Sequence, residues 1–578
     1  MGGSRLLDRY DAPITLRFTV LKRFSAPLLL LLIVSIPAFA QPRLVLQITV
    51  DQLRGDLPWR HMDQFGKGGF RYLADKGIWY TNAAYQHANT ETIVGHTSLA
   101  TGTVPAVHGM IGNIWFDRES SELVYNIEDP RYSLLSADAG VDKSSEIDPT
   151  QRVATTDGRS PRGILSSTFA DELANRYGGA SKVFAVSIKD RGAVPLAGRS
   201  GKAFWFSKSS GSFVTSSFYY DTYPDWVSAW NNAGKLDVYA NSNWTLLNAP
   251  ESYLRITPDD SDWETDFPGF GRTFPHSWGE RDSKYFTTLL TVSHAGDELT
   301  LDFAKTLVDA EGLGQDAVPD YLSISFSSTD YVGHLFGSSS LEMEDNLLRL
   351  DRTLADLFTF IDKKVGLKNT LIVLSADHGG PEVPGYLRSL GDDVEAVDPA
   401  VFDSATLNKA LREETGMDID LVKTFFTPYV YLDQELIAAR GLDLVEVQRT
   451  VAEYLVQRPE VFSAYAAADI SAGRMPDSTL AALAAANYLP QRSGDVHVVF
   501  GSQEFIADLD GLTVAATHGS PWHYDRHVPV VFAGSNLKSA RISRAVTPYD
   551  IAATLASRLN IEAPSGSIGD VLTEVAPR

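Results

Sequence analysis

Six carboxylate and imidazole side chains could together hold metal ions. They are Asp51, Asp330, His334, Asp377, His378 and His518. In STDYVGH the two candidate ligands are four residues apart, so one helical turn would place them on a common face. Three carboxylates and three imidazoles suit two Zn²⁺ ions, each with one position left open for a substrate. Taken singly, Asp-His-Gly is usually a surface turn and a strand-end Asp usually a cap, but their joint occurrence favours a metal site.

Other histidines compete for these roles or have structural alternatives. His523 and His527 lie in the same ATHGSPWHYDRH segment as His518 and could replace it on composition alone. We interpret His87, His96 and His108, which lie nearer the N-terminus, as structural.

The segment HANTETIVGHTSLATG offers a hydroxyl group for chemistry. Its pattern predicts a helix from Thr92 through Ala100 that stops at Gly102. Free backbone N–H groups and the helix dipole attract phosphate to the first turn of a helix. Thr92 is therefore the best-placed hydroxyl, whereas Thr97 would point at its own backbone. The alternative is that Thr92 only caps the helix.

A pair of cations follows the apolar run KVFAVSI. Lys189 and Arg191 are two residues apart, and on a strand such residues face the same way, so both could reach one anion. The alternative is a solvated basic pair.

Four apolar runs must position these residues. The runs RLVLQITV, KVFAVSI, YLSISF and TLIVLSA precede Asp51, Lys189, Asp330 and Asp377 respectively. Short runs rich in Val, Ile and Leu indicate buried parallel strands. Helical spacing recurs between them, from Met343 to Ile361 and over residues 167–177. The alternation predicts an α/β fold with a mostly parallel central sheet and helices on both faces, in which ligands bind beyond the carboxyl ends of the strands.

Two stretches interrupt the alternation. Residues 200–282 are rich in aromatic and turn residues and are interpreted as an inserted aromatic cap; residues 384–496 are interpreted as a helix-rich insertion. The last strands are predicted in HVVFG and HVPVVFAG, and a closing helix over residues 547–559. We therefore expect residues 41–578 to form one domain with two insertions.

In order along the chain, VDQLRGD, TETIVGH, GNIWFD, SIKDR, STDYVGH, SADHG and THGSPWHYD resemble motifs of the alkaline phosphatase superfamily. The resemblance is specifically to its secreted phosphate-monoesterase branch, the PafA-like and Sphingomonas-type alkaline phosphatases, and runs through most of residues 43–560. It implies an alkaline-phosphatase-like fold and two Zn²⁺ ions. One would be bound by Asp330, His334 and His518, and the other by Asp51, Asp377 and His378.

The resemblance also implies a reaction. Thr92, ionised with the help of zinc, would attack phosphorus in line and form a phosphothreonine that water then cleaves. Asn113, Lys189 and Arg191 would hold the non-bridging oxygens, and the two cations favour a monoester dianion over a diester. The alternative is a phosphodiesterase or nucleotide pyrophosphatase of the same superfamily. A sulfatase is disfavoured because there is no cysteine, and a catalytically inactive binding protein because every expected ligand is present.

Composition limits the setting of the protein. The chain has 578 residues, no cysteine and a formal charge of −23, which disfavours nucleic-acid binding. Residues 1–40 resemble a secretory signal peptide, with Lys22 and Arg23 before an apolar run and an Ala-Phe-Ala site. We therefore expect a periplasmic or secreted enzyme of small-molecule phosphate monoesters, without a stable membrane anchor. The sequence does not indicate the oligomeric state.

Overall fold

The computed structural model describes residues 41–509 and 512–576, and nineteen strands lie in this part of the chain. The strands are β1 (Leu44–Val50), β2 (Ile78–Tyr80), β3 (Ile114–Asp117), β4 (Glu122–Tyr125), β5 (Val183–Ser187), β6 (Lys202–Ser207), β7 (Ser212–Val214), β8 (Asn243–Trp244), β9 (His276–Ser277), β10 (Asp320–Phe326), β11 (Thr370–Ser375), β12 (Val422–Phe426), β13 (Tyr429–Leu432), β14 (Val461–Ala466), β15 (Val496–Phe500), β16 (Asp508–Leu509), β17 (Leu512–Thr513), β18 (Val530–Gly534) and β19 (Ala540–Ile542). The predicted signal peptide lies outside the described residues.

Helices cover the strands on both sides. They are α1 (Leu57–Arg60), α2 (Phe70–Lys76), α3 (Thr92–Thr101), α4 (Pro105–His108), α5 (Pro149–Val153), α6 (Phe169–Arg176), α7 (Asp190–Ala197), α8 (Asp225–Asn231), α9 (Phe286–Thr291), α10 (His294–Glu311), α11 (Ser328–Phe336), α12 (Leu341–Lys364), α13 (Pro384–Ser389), α14 (Ser404–Thr415), α15 (Gln434–Ala439), α16 (Leu444–Val456), α17 (Ala467–Ser471), α18 (Thr479–Asn487), α19 (His523–Arg526) and α20 (Asp550–Leu559). In the described part of the chain, none of them combines the length and apolar character needed to cross a membrane.

The central sheet has nine strands in the order β19-β2-β18-β11-β1-β10-β5-β6-β7. The strands β11, β1, β10, β5 and β6 are parallel neighbours, so the predicted mostly parallel sheet is confirmed. Val50 pairs with Phe326, and Thr49 pairs with Ser375. This register ends β1, β10 and β11 at one edge, where the chain continues into the candidate site residues.

Residues of β1 alternate between two apolar cores, one on each face of the sheet. Leu46 and Ile48 pack in one core with α10 and α12, and Val45 packs in the other with α3, α6 and α20. All seven residues of β1 are buried, as expected for a parallel strand covered by helices on both faces. The helices predicted near residues 167–177, 343–361 and 547–559 are present as α6, α12 and α20.

The first predicted insertion, residues 200–282, begins within the central sheet. Strands β6 and β7 extend that sheet, and only the residues after β7 lie over helix α12. Asp345 of α12 anchors them, because it accepts hydrogen bonds from Trp244 Nε1 at 2.6 Å and from the Tyr253 hydroxyl at 2.5 Å.

The second predicted insertion, residues 384–496, contains strands as well as helices. Strands β12, β13, β15 and β14 form a second, four-stranded sheet with its own apolar core. HVVFG, predicted as one of the last strands, forms β15 of this second sheet. HVPVVFAG forms β18, which joins the central sheet antiparallel to β11.

Candidate active site

Helix α3 begins at Thr92 and ends at Gly102, which adopts the left-handed conformation with φ 66°. Thr92 is 1 % exposed, and its Oγ1 has no hydrogen-bond partner among the described residues. Unlike the other buried threonine of this helix whose hydroxyl has no partner, Thr97, Thr92 lines a cavity, so its hydroxyl is available to a ligand. Gly95 allows helix α3 to pack closely against the residues that follow β11, because a Cβ at position 95 would collide with the backbone oxygen of Asp377.

Asn113 lies beside the first turn of α3. Its carboxamide oxygen accepts a hydrogen bond from the backbone N–H of Ile93 at 3.1 Å. Its own backbone N–H donates to Glu91 Oε2 at 2.6 Å. Because the oxygen is bound to the helix, the amide Nδ2 is the group that can donate to a ligand. Thr92, Asn113 and Arg191 line one cavity of about 90 Å³, here called the site cavity.

The structure brings Asp51, Asp377 and His378 together at the ends of β1 and β11. Their ligand atoms lie within 4.8 Å of one another. His378 Nδ1 donates to the carbonyl oxygen of Gly379 at 2.9 Å, which leaves Nε2 facing the two carboxylates. Burial lowers the pKa of His378 to about 3, so its imidazole is neutral and able to bind a metal.

A second group forms around Asp330 on helix α11. His334 Nε2 and His518 Nε2 lie 3.4 Å and 3.2 Å from Asp330 Oδ1. Each of these rings is oriented by a backbone carbonyl, because His334 Nδ1 donates to Ala516 and His518 Nδ1 to Thr90. Such outer hydrogen bonds fix the tautomer that presents Nε2 to a metal.

The structure does not separate the six candidate ligands into two groups as clearly as the sequence predicted. The ligand atoms of Asp330, His378 and His518 also lie within 4.8 Å of one another, and the rings of His378 and His518 stack at 3.6 Å. His378 therefore borders both groups, and His334 approaches the second group through Asp330. The alternative ligands His523 and His527 stack on each other outside both groups.

The donor set fits divalent cations. Asp51 Oδ1, Asp377 Oδ2 and His378 Nε2 are buried and have no hydrogen-bond partner among the described residues. The carboxylates of Asp51, Asp330 and Asp377 are 0–2 % exposed, and the ammonium of Lys189 is the cation that pairs directly with two of them. Uncompensated buried carboxylates are strongly unfavourable, so this charge balance favours added positive charge.

The structure places Lys189 and Arg191 at the start of a helix, whereas the sequence predicted that they lie on a strand. Strand β5 ends at Ser187, so Lys189 caps helix α7 and Arg191 lies in its first turn. Lys189 Nζ lies 2.8 Å from Asp51 Oδ2 and 2.5 Å from Asp330 Oδ2. Despite burial, these carboxylates raise the pKa of Lys189, which stays charged.

Arg191 is the cation that lines the site cavity. Asp148 Oδ2 holds Arg191 Nη2 at 2.7 Å, while Nε and Nη1 have no hydrogen-bond partner among the described residues. Burial opposes the charge, but Asp148 still raises the pKa of Arg191 well above its usual value. Two buried guanidinium donors are thus available to an anion.

Three supporting residues were not predicted. Asp148 gives no local sequence signal, because it lies in a loop 43 positions before Arg191. Gln52 lies inside VDQLRGD and adopts φ 64°, where it donates to Asp377 Oδ1 and Asp330 Oδ1, both at 3.2 Å. His96, interpreted as structural, lies 3.1 Å from Asp377 Oδ2, so it contacts a candidate ligand.

Comparison with known proteins identifies the family. The model of the type I phosphodiesterase/nucleotide pyrophosphatase family matches residues 45–521. The chain belongs to this family. It is 33 % identical over 541 residues to the alkaline phosphatase PhoV of Synechococcus elongatus, covering 93 % of each chain. It is 32 % identical to the alkaline phosphatase PafA of Elizabethkingia meningoseptica, covering 94 % of this chain and 96 % of that protein.

The fold agrees with these relatives. A crystal structure of the alkaline phosphatase PafA superposes with a TM-score of 0.84 at 31 % identity, over 93 % of this chain and 99 % of that one. The resemblance found in the sequence is therefore confirmed, and so is the predicted α/β fold.

Proposed function

We propose that the protein hydrolyses phosphate monoesters through a covalent phosphothreonine on Thr92 and releases inorganic phosphate. One observation carries the proposal: the unpartnered Thr92 hydroxyl shares a cavity with Asn113 and Arg191, and Asp330, His334 and His518 of one candidate metal group line the same cavity. The similarity to alkaline phosphatases PhoV and PafA supports it.

Six side chains would hold two Zn²⁺ ions. They are Asp51, Asp377 and His378 for one ion, and Asp330, His334 and His518 for the other. When bound, such ions favour ionisation of a hydroxyl group and neutralise charge on phosphate oxygens. Gln52 and His96 would orient the carboxylates, since they contact Asp330 and Asp377.

The residues of the site cavity would bind and orient the ester. Arg191 Nε and Nη1 and the amide of Asn113 would donate to non-bridging oxygens. The Oγ1–P bond of Thr92 would then form as the bond from phosphorus to the ester oxygen breaks, and the alcohol would leave with a proton. Water would finally cleave the Oγ1–P bond and restore the threonine.

The charge of the site favours monoesters. A monoester dianion carries one more negative charge than a diester, and Arg191 and Lys189 place two cations near the transferring group. The alternative is phosphodiester hydrolysis, which the description of the matched family supports. We propose the monoester because two buried cations stay charged at the site: Arg191 lines the cavity of Thr92, and Lys189 pairs with Asp330, which lines it too.

Two isosteric substitutions on one helix test the nucleophile. Thr92→Val should abolish hydrolysis of p-nitrophenyl phosphate. Thr97→Val is the matched control, because Thr97 is also buried on α3 and its hydroxyl also has no hydrogen-bond partner among the described residues. Faster turnover of bis(p-nitrophenyl) phosphate by the parent enzyme would instead favour the diesterase.

We further propose that the protein is exported and that residues 1–40 are removed. Removal would change the formal charge from −23 to −26, because five Lys/Arg and two Asp/Glu are lost. N-terminal sequencing of protein from the periplasm or medium should begin at Gln41. Residues 41–578 would then form the catalytic domain with its two insertions.

A further inference from the structure

A cleft beside the site cavity is large enough to bind an organic group. It has a volume of about 560 Å³, within the range of about 300–1,000 Å³ that is usual for small-molecule sites. The site cavity, at about 90 Å³, is much smaller. Glu91, Thr517 and His518 line both, so the two spaces adjoin each other. A phosphoryl group in the site cavity would leave its alcohol part facing the cleft.

One wall of this space, here called the aromatic cleft, is a cluster of phenylalanines. Phe425 and Phe426 are the last residues of β12, and both are half-buried. Phe402 lies 4.8 Å from Phe425 and 5.1 Å from Phe500, measured between ring centroids. Phe402 and Phe500 are buried in the core of the second sheet, line the aromatic cleft themselves and pack against Phe425.

The two half-buried rings lie where the two parts of the fold meet. Phe425 packs against the core of the second sheet, whereas Phe426 packs against a core of the central sheet. The aromatic rings are therefore fixed from both sides. Rings held in this way offer a flat apolar surface to another ring, and offset or edge-to-face contacts are the favoured geometries.

The charge of the aromatic cleft restricts what it can bind. Among the described residues that line it there is no lysine or arginine. The lining includes the carboxylates of Glu91, Asp403, Glu504 and Asp525. A second phosphate or carboxylate on the substrate would be repelled, while a neutral or cationic group would not.

The direction in which the alcohol leaves also bears on the role of the aromatic cleft. His518, one of the three ligands proposed for the second ion, lines both the site cavity and the aromatic cleft. An alcohol that leaves past His518 would therefore move toward the phenylalanines.

We propose that the aromatic cleft binds the alcohol part of the substrate, and that the preferred substrates are monoesters of neutral or cationic alcohols that carry an aromatic ring. This inference rests on the proposed function, because it assigns the cleft to the group released from the phosphate.

Substrates of matched reactivity separate binding from chemistry. Allyl, benzyl and 2-naphthylmethyl phosphate release alcohols of similar acidity, so differences in kcat/KM report contacts of the alcohol. We expect kcat/KM to be at least about tenfold higher for 2-naphthylmethyl than for allyl phosphate, from the apolar area buried. A carboxylate added to the benzyl ring should lower kcat/KM, and an aminomethyl group should not.

Substitutions of single phenylalanines test whether the aromatic cleft causes the preference for the naphthyl ester. Phe425→Ala and Phe426→Ala should each lower kcat/KM for the naphthyl ester more than for allyl phosphate, so that the preference falls. Phe462→Ala is the matched control, because Phe462 is 57 % exposed on β14 and its ring contacts Trp522, outside the aromatic cleft. The control should keep the full preference.

Calorimetry with the corresponding phosphonates provides a reading that does not need turnover. Tighter binding of the naphthylmethyl than of the allyl phosphonate, lost in Phe425→Ala, supports the cleft even if no ester is hydrolysed, in which case only the proposed function fails. Equal kcat/KM and equal affinity across the series, or a preference that survives both phenylalanine variants, would overturn the inference while monoester hydrolysis stands.

Discussion

Replacing Arg191 by alanine should reduce monoester hydrolysis far more than diester hydrolysis. Arg191 has two guanidinium donors, Nε and Nη1, without a partner among the described residues, in a position that is 4 % exposed. Each hydrogen bond from a charged donor contributes about 1.5–3 kcal/mol. Two of them therefore contribute at least about 3 kcal/mol, or about a hundredfold in kcat/KM. A diester has less charge on its non-bridging oxygens and should lose less.

A second substitution separates this effect from folding. Removing the guanidinium leaves Asp148 buried without its partner, which can cost about 3–5 kcal/mol of stability. Adding Asp148→Asn to Arg191→Ala removes that charge and should restore the melting temperature without restoring activity. Arg474→Ala is the control, because Arg474 pairs with Asp469 on the surface and its side chain is 53 % exposed.

The assay is kcat/KM for p-nitrophenyl phosphate and bis(p-nitrophenyl) phosphate, with thermal melting of each variant. An equal loss of kcat/KM for both esters would show that Arg191 does not recognise the extra charge of the monoester. Recovery of activity in the double variant would show that Arg191 acts only by neutralising Asp148.

Three further outcomes follow from the packing around the site. Gly95→Ala should lower both the melting temperature and the bound zinc, because the new methyl group would collide with the backbone of Asp377; unchanged zinc content would refute this. His96→Gln should weaken zinc binding by about 10–100-fold in a chelator competition, since it removes an outer contact to a ligand. Burial and the charge of Glu342 raise the pKa of Glu264 to about 10, whereas the pKa in the unfolded chain is 4.5. Between these two pH values the folded state holds one more proton than the unfolded state. This group therefore makes the free energy of unfolding fall as the pH rises through that window. The melting-temperature advantage of Glu264→Gln should therefore grow from pH 6 to pH 9, and a constant difference would contradict the shift.

The sequence was sufficient to predict the sheet and the place of the candidate ligands. Apolar runs buried on both faces can hardly be anything but parallel strands, and the residues that follow such strands must meet at one edge. Asp51 and Asp377 are brought together for this reason. Asp330 and His334 are close because one turn of α11 separates them.

Other features depend on contacts that no local pattern encodes. Strand alternation wrongly described Lys189 and Arg191, because β5 ends two residues earlier and both belong to the start of α7. Asp148 reaches Arg191 only through the tertiary fold. The strand β15 was predicted, but its place in the second sheet was not, since an apolar run does not reveal which sheet will pair with it.

The most direct test of the central claim is to identify the residue that carries phosphate during turnover. Enzyme mixed with a phosphate monoester, quenched in acid and digested, can be analysed by mass spectrometry. We expect one phosphate, located on Thr92, in the peptide that contains TETIVGH. The Thr92→Val protein, for which Thr97→Val is the matched control, should carry none. Phosphate on another residue, or steady hydrolysis by the Thr92→Val variant, would contradict the account.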